Sequence, residues 1–116
     1  MVTRLIPIPV AFWISSTGRE PVRDFLQELT KEDRKRFGEN IRQLQFGWPI
    51  GMPLVRKMQD GIWELRVSLP SKREARIFFA TDNEKLVLLH VFIKKAQKTP
   101  QAELALARQR LKDLKQ

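Results

Sequence analysis

Five cations sit within or at the end of apolar stretches, where a merely solvated charge is not usually placed. They are Arg66 in GIWELRVSL, Arg76 in REARIFFA, and Lys94, Lys95 and Lys98 following LVLLHVFI. A guanidinium fork matches the oxygens of a phosphate and keeps its charge throughout the physiological pH range. The lysines run directly into KTP, where Thr99 reads as a helix N-cap and Pro100 as the first helical residue. Cations at that end oppose the helix dipole, so helix stability does not account for them. An anion site does, because lysines and free helix N–H groups both hold phosphate.

Cutting RNA without a metal takes a base for the 2′-hydroxyl proton, cations for the charged phosphorane and an acid for the departing 5′-oxygen. Arg66 and Arg76 suit the second role. Lys94 or Lys95, crowded by like charge, and His90, the one histidine, are the candidates for moving protons. A lone histidine inside an apolar strand is more often a satisfied structural residue. Glu64 is a further candidate base and an equally good ion-pair partner for Arg66 or Arg76. Lys57, Lys72 and Arg73, with Lys98, flank these strands and suit gripping a phosphate backbone, although each taken alone also reads as an ordinary solvated cation. The chain has no cysteine, which excludes disulfides, thiol catalysis and cysteine-ligated zinc. No HxxxH, HxH or clustered-carboxylate spacing occurs, and the glycines form neither a Walker nor a dinucleotide pattern, so no metal and no cofactor are expected.

The formal net charge is +9 over 116 residues. It is unevenly distributed: residues 1–53 hold 8 basic and 6 acidic groups, residues 54–116 hold 14 and 7. A field concentrated in one half attracts a polyanion and speeds its encounter. Nucleic acid, an acidic protein partner and simple solubility all remain open on charge alone. With 42% hydrophobic and 30% charged residues the chain is of the globular class, and its length suits one domain, 1–116. The longest apolar run, residues 86–93, is far short of the roughly 20 residues of a membrane span. The opening MVTRLIPIPVAFWI lacks a small-residue cleavage pattern, so a cytoplasmic protein with no membrane association is expected.

Residues 3–14 are rich in Ile, Val, Phe and Trp but carry Pro7 and Pro9, which cannot donate to a ladder, so they read as an edge strand. A first helix is predicted from about Arg19 or Glu20, its stripe made by Val22, Phe25, Leu26 and Leu29. Thr30 caps a second, from Lys31 to about Phe46, with Glu32 and Asp33 in its first turn and Phe37, Ile41 and Leu44 as its stripe. Two helices this close form a helical hairpin. GWPIGMP is a rigid loop, with Trp48 turned into the core. Strands are predicted at 61–69, 74–80 and 85–94, joined by LPSKR and TDNE turns as an antiparallel meander, and a helix closes the chain from Pro100 to about Lys115.

Strict alternation splits each strand into two faces. Trp63, Leu65, Val67 and Leu69, then Ala75, Ile77 and Phe79, then Val87, Leu89, Val91 and Ile93 make one apolar face for the hairpin. The opposite face collects Glu64, Arg66, Arg76, His90 and Lys94 among Phe78 and Phe92. The alternative is an ordinary solvent-facing side partly covered by the last helix.

The segments FGWPIGMPLVRKMQDGIWELR, REARIFFA and LLHVFIKKAQKTPQAELALARQR, with GREPVRDFLQEL and EDRKRFGENI upstream, resemble the HigB-type, phage-derived branch of the RelE/ParE toxin superfamily. The resemblance covers nearly the whole chain. It implies an α+β fold: one domain with an N-terminal edge strand, a helical hairpin on a curved antiparallel sheet, and a C-terminal helix. It implies the toxin of a type II toxin–antitoxin pair that cuts mRNA on the ribosome, docked against ribosomal RNA and neutralised by a helix-turn-helix, HigA-like antitoxin. By position, Arg66 closes an aromatic-Glu-x-Arg strand motif, Arg76 opens an Arg-x-phenylalanine pattern, and Lys94, Lys95 and Lys98 form a KKxxKTP turn. Many RelE-like enzymes use a C-terminal Tyr or additional histidines; this chain has no Tyr and one His. ParE-like relatives inhibit DNA gyrase by binding it, and a non-catalytic phage RNA-binding protein is a third possibility, because fold does not fix activity.

Overall fold

The computed structural model describes residues 4–95, 97 and 100–116. Its spine is a hairpin of two long strands, β4 (Glu74–Asp82) and β5 (Lys85–Lys94). Asp82 pairs with Lys85, so Asn83 and Glu84 alone make the turn. Both take positive φ, 48° and 61°, as a two-residue turn matched to strand twist requires. The other elements are β1 (Val10–Phe12), α1 (Pro21–Gln27), α2 (Lys31–Gly47), β2 (Val55–Lys57), β3 (Trp63–Ser68) and α3 (Gln101–Lys115).

The strands lie in the order β1-β5-β4-β3-β2. β2 to β5 form the expected meander, but the sheet is mixed, not antiparallel, because β1 pairs parallel with β5 from Val10↔Leu86 to Phe12↔Leu88. The two helices and three strands between them form the long crossover that a parallel pair needs. β1 is an edge strand that begins only after Pro9. β2, absent from the sequence reading, is three residues long with one buried side chain, Val55, and so leaves no periodicity to detect.

α1 and α2 cover one face. Thr30 caps α2 by accepting from the Asp33 amide (3.2 Å). Phe37 and Leu44, with Val22 and Leu26 from α1, are buried against Leu65, Val67, Ala75, Ile77 and Phe79. Trp48 packs there too, edge-on to Trp63 at 5.2 Å and to Phe79 at 5.5 Å. α3 covers part of the other face: Leu104 and Ala107 are buried with Ile62, Phe78, Val87, Leu89 and Phe92. It begins at Gln101 with Pro100 as N-cap, one residue later than predicted, and Thr99 lies outside the described residues.

One departure from strict alternation reorganises β5. Phe78 pairs with His90 and Phe79 with Leu88, leaving Leu89 as an extra residue in a bulge. Leu86 and Leu88 therefore join Val91 and Ile93 on the hairpin side, whereas Val87 and Leu89 pack beneath α3. The expectation that Val87, Leu89, Val91 and Ile93 share one face is corrected: side-chain period is 2 only while the ladder is unbroken.

Candidate nucleic-acid interface

The uncovered corner of the α3 side holds the cations. Register places Arg66 opposite Arg76, and Arg76 opposite Phe92; two residues along, Ser68, Glu74 and Lys94 form the next rung on that face. Arg66, Glu74, Arg76, Lys94, Lys95 and Gln97 line a cavity of about 470 Å³. Four of the six are cations and one is an acid. Like charges directly across a ladder destabilise it, so the Arg66–Arg76 rung is not there for the sheet's benefit.

Arg76 is the most constrained of them. Its side chain is only 4% exposed. Nη1 donates to the Ala75 carbonyl at 2.9 Å and to Glu74 Oε1 at 3.5 Å. Nε lies 3.8 Å from Glu64 Oε1, beyond hydrogen-bond length, and is a buried polar atom with no hydrogen-bond partner. Buried Glu64 also faces Arg56 Nε at 3.8 Å, so the two arginines share one carboxylate. A buried donor left unmatched costs about 1–3 kcal/mol. Arg66 is half-buried, and its Nη1 approaches the Met52 sulfur at 3.7 Å, a weak acceptor for a full charge.

The structure thus brings Arg66, Arg76, Lys94 and Lys95 around one cavity. His90 is held elsewhere. Its Nε2 lies 2.9 Å from Glu103 Oε1 and its Nδ1 3.4 Å from Arg110 Nη1, both on α3, and its ring stacks on Phe92 at 5.6 Å. Because Arg110 only donates, Nδ1 acts as acceptor and Nε2 carries the proton offered to Glu103. Arg110 also donates to the Leu89 carbonyl (2.8 Å) and lies over Trp13 at 4.8 Å; burial pushes its pKa down. Glu103 and Arg110 escaped the sequence reading because only the docking of α3 brings them to His90.

Lys57 ends the edge strand β2, opposite Trp63, and is exposed. Lys72 is exposed in the β3–β4 turn with φ 69°. Arg73 next to it is a structural pin: its Nη2 meets buried Asp33 Oδ2 at 3.2 Å, while the Ser71 hydroxyl donates to that oxygen at 2.8 Å and the Ser71 amide donates to Oδ1 at 3.3 Å. The Ser71 hydroxyl chiefly, with Arg73 and the Ser71 amide adding to it against the cost of burial, holds the Asp33 carboxyl below its usual pKa. Lys98 lies outside the described residues.

Among the described residues, no group of three or more His, Cys, Asp or Glu is placed to hold a metal, and no helix is long and apolar enough to cross a membrane. Fold and site together define a small α+β domain whose sheet gathers arginines and lysines around one cavity. The chain belongs to the phage derived protein Gp49-like family, whose model matches residues 24–112, a family of RelE/ParE-like toxins. No curated protein matches the chain.

Proposed function

We propose that this protein is the toxin of a type II toxin–antitoxin pair, of the HigB-type branch, acting as a ribosome-dependent mRNA endoribonuclease that inhibits translation. The observation that carries the reading is the registered Arg66–Arg76 rung opening on a cavity with Lys94 and Lys95. An RNA phosphate fits the charge there, and guanidinium groups match its oxygens. In this reading the two guanidinium groups hold the scissile phosphate and stabilise the phosphorane. A lysine in its free-amine form takes the 2′-hydroxyl proton as the 2′-oxygen bonds to phosphorus, and a protonated lysine supplies the proton to the departing 5′-oxygen. The products are a 2′,3′-cyclic phosphate and a 5′-hydroxyl. Lys94 and Lys95 are assigned these steps, since His90 is occupied by Glu103 and Arg110. Lys57 and Lys72 are assigned to ribosomal RNA. The partner that restrains the toxin is a helix-turn-helix antitoxin covering the basic corner.

Primer extension on translating message tests the reading. Induction should give cuts within codons that disappear with Arg76→Ala. Intact message during growth arrest would sink it, and loss of supercoiling by purified gyrase without ribosomes would then favour the gyrase-binding alternative.

A further inference from the structure

A second and larger cleft, of about 880 Å³, adjoins the cationic cavity, with Arg66 and Glu74 lining both. It lies between α2, the 49–54 loop and the edge of the sheet. Its size falls within the range of small-ligand sites. One side is apolar, made by Ile50, Met52 and Leu54 with Pro49 and Pro53; the other presents the side-chain amides of Asn40 and Gln43, one helical turn apart on α2. Helical spacing i, i+3 puts the two on one face, and Asn40 Nδ2 donates to Gln43 Oε1 at 3.3 Å. That bond leaves Asn40 Oδ1 as an acceptor and Gln43 Nε2 as a donor, each without a hydrogen-bond partner among the described residues.

The chemistry of this cleft matches a nucleobase. A base has flat apolar faces and an edge of adjacent donors and acceptors, and side-chain amides read such edges because each carries both kinds of group. Unstacked bases of single-stranded RNA are recognised in this way, including by stacking on an arginine plane. Arg66 stands at the junction, able to hold a phosphate on one side and face a base on the other. Met52, 59% exposed, is an apolar side chain at the same junction, touched by Arg66 Nη1 at 3.7 Å. An extended nucleotide strand places a base beside every phosphate, so a phosphate held at Arg66 and Arg76 directs its neighbouring base to this cleft.

We propose that the cleft between α2 and the 49–54 loop is a base-reading subsite, in which Asn40 and Gln43 select the base next to the phosphate held by Arg66 and Arg76. This assignment rests on the RNA-cutting reading for its purpose, but it can be tested without cutting. Purified protein is titrated with fluorescent hexamers of rA, rC and rU, in the wild type, in the Asn40→Ala/Gln43→Ala double variant and in Arg76→Ala. Wild-type affinities should differ by at least about fivefold between the best and the worst hexamer. The double variant should bring them within about twofold by losing the best, while Arg76→Ala weakens all three alike and keeps their ranking. Equal wild-type affinities, no binding to any hexamer, or a spread that survives the double substitution would overturn the subsite. If message stays uncut on ribosomes while the double variant still abolishes base preference, the subsite stands and the endoribonuclease reading falls.

Discussion

Replacing Arg76 by methionine separates the chemistry of this site from its scaffolding. Methionine keeps most of the length of the apolar stem and adapts to irregular surroundings. The substitution removes the Nη1 bond to the Ala75 carbonyl, worth about 1 kcal/mol, the longer contact to half-exposed Glu74, and the attraction to Glu64. It also removes a buried Nε with no partner, which recovers about 1–3 kcal/mol. Glu64 is not stranded, since Arg56 remains 3.8 Å away. With Arg56 left to face Glu64, the opposing effects keep unfolding free energy within about 2 kcal/mol of wild type, short of the roughly 3–5 kcal/mol that a stranded buried charge costs. Losing one preorganised donor to the transition state, by contrast, costs about 10²–10³ in rate. Urea unfolding followed by tryptophan fluorescence measures the first effect, and counting cut ends in a translating lysate measures the second. A loss of stability above about 3 kcal/mol, the mark of a stranded buried charge, would show that Arg76 holds the fold together. Undiminished cutting by the folded variant would remove it from the phosphate site.

Three further tests concern single contacts. Asp33 ionises more readily folded than unfolded, so its contribution to stability is present above the ordinary aspartate range and is lost as pH falls through the folded value; urea midpoints from pH 6 down to 3 should decline less steeply in Asp33→Asn than in wild type. Glu103→Gln should speed amide exchange in α3 by loosening its hold on His90 while leaving cutting unchanged; lost cutting would return His90 to the chemistry. Lys94→Gln should lower the slope of log affinity against log salt for a single-stranded RNA by about one, and an unchanged slope would place Lys94 outside the phosphate path.

The amino-acid sequence determined a good deal of this molecule because the signals involved are local. The 3.6-residue stripes of α1 and α2, the Thr30 cap, the tight turn at Asn83–Glu84 and the long apolar strands follow from neighbouring residues, and so does the mismatch of arginines and lysines with their apolar setting. Alternation along β3 and β4 was also sufficient to put Arg66 and Arg76 on one face. What it did not determine depends on contacts between distant segments. The parallel docking of β1, the short strand β2 and the Leu89 bulge are set by how elements meet, and the bulge alone reverses the facing of Val87 and Leu89. The division of the basic residues is likewise tertiary. Asp33 is 40 residues from Arg73 and claims it for the scaffold; Glu103 and Arg110 reach His90 only once α3 has packed. Charge is a property of the residue, but whether a charge is committed to the fold or left for a ligand is decided by which partners the folded chain brings within hydrogen-bond reach.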